Sequence, residues 1–148
     1  MDYKAYTFRS DEENTSFHFQ SVGKRGIFDK LILIRPLSEE HYNLALLDYD
    51  LDTQEYSDIS VTDNGDMPEV LATVMKAILL FLDKYPERKV NFQGSTGSRT
   101  RLYQIAINKI YPEIKNDLII YGWINSEWIV FEPNLSFESF LIGKRTIT

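Results

Sequence analysis

The segment Gln93–Tyr103, QGSTGSRTRLY, carries the residue types that hold an anion. Gly94, Ser95, Thr96, Gly97 and Ser98 supply backbone N–H groups and hydroxyls; Arg99, Arg101 and Tyr103 follow on the opening turns of an amphipathic helix. Oriented amides at a helix N-terminus, with guanidinium groups beside them, favour negative charge. These eight residues form the candidate ligand-binding set. Ser95, Thr96 and Ser98 are all competent N-caps. With a start near Ser98, Arg99 and Arg101 point about 200° apart around the axis, so they do not grip one phosphate together. One is expected to face the loop and the other to pair with an acidic strand.

Other chemistry is sparse. The loop lacks the lysine of a P-loop, and Gly94 and Gly97 do not complete G-x-G-x-x-G. Neither HExxH nor GxSxG occurs, and no catalytic residue is assigned. Asp48-x-Asp50-x-Asp52 begins like a calcium loop, but Thr53 stands where Gly is needed and Ile59 where a bidentate Glu is needed. With no cysteine and only His18 and His41, neither a metal nor a cofactor is expected.

Net charge is −6, unevenly placed. Ser38–Met75 holds ten acidic residues and no Lys or Arg, whereas Lys84–Lys115 holds seven basic residues against Glu87 and Glu113. A positive region on an acidic protein suits a small anionic ligand or an acidic protein surface, and the acidic total argues against duplex nucleic acid. The absence of cysteine, of an apolar leader and of any run near 20 apolar residues predicts a soluble cytoplasmic chain with no membrane partner.

The elements that must position the loop follow from periodicity. The chain's 148 residues suit one domain over 1–148 with a tail at 143–148, and 43% apolar and 14% aromatic residues suit a folded core. Alternating apolar residues predict strands over Tyr3–Phe8, Thr15–Val22, Ile27–Ile34, His41–Tyr49 and Tyr56–Thr62. His18 then faces away from Phe17 and Phe19. Asp66, Pro68 and Glu69 mark a helix start, and the apolar spacing from Met67 to Tyr85 predicts a largely buried helix. A strand over Arg88–Phe92 delivers the loop. After the second helix, Leu118–Ile124 and Glu127–Phe131 read as a hairpin, and Phe137, Phe140 and Leu141 keep helical spacing before Gly143.

The early YNLALLDYD strand, the helix start DNGDMPEVLATVMKAI and above all FQGSTGSRTRLYQIAI resemble a family of small bacterial proteins known only as a domain of unknown function. The resemblance covers nearly the whole chain, with Gly94-Ser95-Thr96 and Arg99–Tyr103 as its most specific part. It implies an α+β fold and no activity. The expected architecture is a bent, mostly antiparallel sheet of seven or eight strands in the order βββββ-α-β-α-ββ, with two helices on one face. The expected function is binding of an anionic group by the Gly94–Arg101 loop. The alternatives are an enzyme or toxin-like component acting on a phosphorylated or nucleic-acid substrate, and a homodimeric interaction module using the aromatic strands or tail.

Overall fold

The structure, a computed structural model, describes residues 4–57 and 64–145. Its elements are β1 (Arg9–Ser10), β2 (Ser16–Gly23), β3 (Gly26–Pro36), β4 (His41–Asp50), β5 (Glu55–Ser57), α1 (Met67–Lys84), β6 (Lys89–Phe92), α2 (Gly97–Ile114), β7 (Leu118–Ile124), β8 (Glu127–Val130) and β9 (Ser139–Lys144). The strands form one sheet in the order β1-β2-β3-β4-β6-β9-β7-β8, with β5 paired to β4. The α+β class and the two helices stand as expected, with nine strands where seven or eight were counted. Every described strand pair is antiparallel except β4 with β6.

Topology explains why both helices share a face. Strands β4 and β6 are parallel, joined through α1; β6 and β7 run the same way, joined through α2, with β9 inserted antiparallel between them. Crossovers of this kind are right-handed almost without exception, and two of one hand that advance in one direction place their helices on the same side. Register agrees: Phe17, Ile32, Leu44, Phe92, Phe140 and Ile120 alternate onto one face. They share a single buried cluster with Leu71, Ile78 and Phe81 of α1 and Ala106, Ile107 and Ile110 of α2. Among the described residues, the opposite face receives no helix.

Two local readings change, and a third is seen only in part. Residues 4–8 form no strand; Tyr6 lies over the core instead, its N–H donating to Thr73 Oγ1 at 2.7 Å and its ring stacking on Phe19 at 5.8 Å. Those contacts satisfy the segment without a partner strand, and pairing is limited to Arg9–Ser10. The end of the C-terminal stretch with helical spacing is β9, which continues through Gly143 and Lys144 where a tail over 143–148 was expected; 146–148 lie outside the described residues. Phe137 and Phe140 dock into the chain's own core. The strand expected over Tyr56–Thr62 is seen to Ser57 as β5, and the remainder lies outside the described residues.

Asp66 holds the N-cap position of α1, but its side chain makes no cap. Its Oδ2 instead accepts hydrogen bonds from the Tyr6 and Ser21 hydroxyls, and Asn64 Nδ2 donates to Ser21 at 3.0 Å. Burial first, then the hydrogen bond to Asp66, holds the Tyr6 phenol above its ordinary pKa. This polar knot ties the N-terminal segment, β2 and α1 together.

Candidate functional site

Strand β6 ends at Phe92 opposite Leu44 of β4, and the chain leaves the sheet through Gln93 into α2. Thr96 is the N-cap, with extended backbone and a hydroxyl that accepts from Arg99 N–H at 3.2 Å. Thr100 closes the turn: its hydroxyl accepts from Gly94 N–H at 3.0 Å and reaches Thr96 O at 3.2 Å. Gly94 is buried against this turn. A Cβ there would lie 2.5 Å from Arg99 Cβ and 2.6 Å from Thr100 N, so only glycine admits so close an approach. Gly94→Ala is expected to displace the first turn of α2 and cost about 1–3 kcal/mol, read from a lower denaturant midpoint. An unchanged midpoint would show that the loop accepts the methyl group.

Seven of the eight residues fall into two groups, with Thr96 between them as the cap. Gly94, Ser95, Arg99 and Tyr103 line a crevice of about 150 Å³ whose other wall is Asn43–Leu46 of β4. Arg99 Nη1 donates to Ser95 Oγ at 2.7 Å, bracing the loop from inside. Tyr103 is buried and stacks on Phe92, with centroids 4.6 Å apart. On the outer side, Gly97, Ser98, Arg101 and Leu102 line an open depression. The Gly97 and Ser98 amides meet no acceptor among the described residues, and a Cβ on Gly97 would meet nothing within 4 Å. Thus the arginines diverge as the helical spacing requires: Arg99 faces the loop, and Arg101 faces the two amides.

Much of the positive segment is engaged elsewhere. Arg88 sits 3.8 Å over the Tyr85 ring and 4.5 Å over Tyr42, and Lys84 Nζ donates to Glu12 O at 2.6 Å. Asp48 of the acidic run pairs with buried Lys30. No three His, Asp or Glu side chains among the described residues converge as a metal site. No described helix is long and apolar enough to cross a membrane.

A further cleft, of about 630 Å³, escapes sequence reasoning. Arg9, His18, Gln20, Asp29 and Tyr56 line it from β1, β2, β3 and β5. Gln20 Nε2 donates to Asp29 Oδ1 at 3.0 Å, and the His18 and Tyr56 rings meet edge to face at 6.0 Å. Burial, then the charges of Asp29 and Tyr49, raises the Tyr56 pKa against a lowering by Arg9. Alternation along β2 places His18 and Gln20 on one face, but their meeting with Asp29 and Tyr56 is a matter of long-range pairing.

Fold and loop together define an open-sheet α+β protein with a glycine-sealed, threonine-capped helix start beside the parallel strand pair. The chain belongs to a family of unknown function (DUF6934), whose model matches residues 2–145. No curated protein and no solved structure matches it.

Proposed function

We propose that the protein is a binding module of the bacterial cytoplasm that takes a phosphate group, free or carried by a nucleotide, at the first turn of α2. The observation that carries this reading is that Gly97, Ser98 and Arg101, with Leu102, line one exposed depression at the first turn of α2, where the Gly97 and Ser98 amides meet no acceptor among the described residues. Two backbone donors and one fixed charge suit a phosphate better than a neutral ligand. Arg99 acts from the other side of the loop, through Ser95, to hold those donors in place. The absence of cysteine suits the reducing compartment.

The test is titration with inorganic phosphate and, separately, adenosine monophosphate, followed by backbone amide shifts. Gly97, Ser98 and Arg101 are expected to move most, and Arg101→Ala is expected to weaken binding about tenfold without changing the fold, as loss of a charge-assisted hydrogen bond does. A stronger response to the nucleotide would identify a base or sugar contribution. First-turn amides that stay put at millimolar concentrations of both probes would refute the reading and leave an acidic protein surface as the occupant to try next.

A further inference from the structure

Because both crossovers deliver their helices to one side, no described helix covers the other face of the nine-stranded sheet. It is apolar. Four exposed large hydrophobic residues alternate onto it: Val22 at 55%, Ile27 at 63%, Trp128 at 40% and Val130 at 53%. Between these margins lie the half-buried side chains of Leu33, Leu47, Leu141 and Tyr121. An apolar area of this extent on a protein surface marks an interaction site.

The charges on the face are sorted by end. Arg35 of β3 and Lys89 of β6 stand at one end of their strands, Asp29 of β3 and Glu138 just before β9 at the other. None of the four makes an ion pair within the described chain. Asp29 and Arg35 are separated by about 20 Å along β3. Glu138 lies in a hollow of about 470 Å³ with Trp123, Trp128 and Gln93. Arg9, on the edge strand β1, lies outside this pattern.

We propose that this face is the interface of a homodimer, related by a two-fold axis that runs across the strands between the two sheets. Such an axis exchanges the ends of the strands while keeping their lateral order, as an isologous contact requires. Arg35 of each copy then meets Asp29 of the other, and Lys89 enters the Trp123, Trp128 and Glu138 hollow of the second copy, where carboxylate and indole rings both attract it. The strand path of eight spans about 34 Å, and the mean strand length is about 20 Å, giving roughly 700 Å² per copy. That approaches the roughly 800 Å² per partner of a stable specific interface. Charge-free middle, opposite charges at the two ends and adequate area select a second copy over an oppositely charged partner.

Sedimentation velocity of the full chain from micromolar to sub-millimolar concentration is the test. A dimer is expected, with Trp emission shifting to shorter wavelength as Trp123 and Trp128 lose water. Leu47→Lys is expected to give a monomer with unchanged circular dichroism. Should that variant not fold, the exposed charges decide: Arg35→Glu and Asp29→Arg are each expected to raise the dissociation constant at least tenfold, and the two together to restore it. A monomer at every concentration would overturn the proposal, as would a dimer indifferent to the charge reversals or one that their combination does not rescue.

Discussion

Lys30→Ala is expected to destabilise the protein by about 3–5 kcal/mol, far more than loss of a surface charge. The ammonium of Lys30 and the carboxylate of Asp48 are directly opposed across β3 and β4, on the face that the helices cover, and the two residues are only 6% and 8% exposed. Removing one member strands the other charge in a poorly hydrated site. Removing both removes the problem, so the double variant Lys30→Met with Asp48→Leu is expected to recover most of the loss. Urea denaturation of the two variants reads this directly. If Lys30→Ala costs less than about 1 kcal/mol, water reaches the carboxylate and the pair is energetically a surface one.

A second large effect is expected at Gly122. A Cβ built there would lie 2.2, 2.3 and 2.5 Å from three ring atoms of Phe137. That ring cannot retreat: it packs at 5.5 Å from Phe131 and 6.1 Å from Phe140, and its backbone N–H is held by Gln104 Oε1 at 3.2 Å. Gly122→Ala is therefore expected to cost about 3 kcal/mol, at the upper end of the overpacking range. Trimming the obstacle should relieve it, so Gly122→Ala with Phe137→Ala is expected to cost clearly less than the sum of the two single changes. Strict additivity would mean that strand β7 shifts away from the ring instead.

The N-terminal strands β2 to β4, both helices and the last hairpin were legible because each has one dominant period and clear punctuation. Gly23 and Gly26 flank the β2–β3 turn, and Asn125 and Ser126, at φ 52° and 62°, make the β7–β8 turn. Strand β9 was not legible for a physical reason. It lies between β6 and β7, with Phe140 and Ile142 inward and Leu141 outward, so apolar residues fall on both faces and fit helical spacing as well as alternation. The Tyr6 segment misled in the opposite way, alternating without a strand to pair with. Within the candidate site, the cap was one of three equal candidates, Ser95, Thr96 and Ser98, of which the chain uses Thr96, while the divergence of the arginines followed from local spacing. The sealing role of Gly94 did not, since it depends on how closely the turn folds back on Arg99 and Thr100. Nor did the wall supplied by β4, which depends on a pairing between residues almost fifty positions apart.

The parallel pair β4–β6 also sets how the chain reaches its native state. Strands β1 to β4 are a meander of sequence neighbours and can zip by short loop closures, whereas β6 joins β4 only after the whole of α1 has been threaded between them. That seam is the sole hydrogen-bonded junction between the two halves of the described sheet, so it is the step at which the kinetic barrier is concentrated. Substitutions that loosen Val90 or Leu44 should slow refolding, while those confined to the outer hairpins should mainly hasten unfolding.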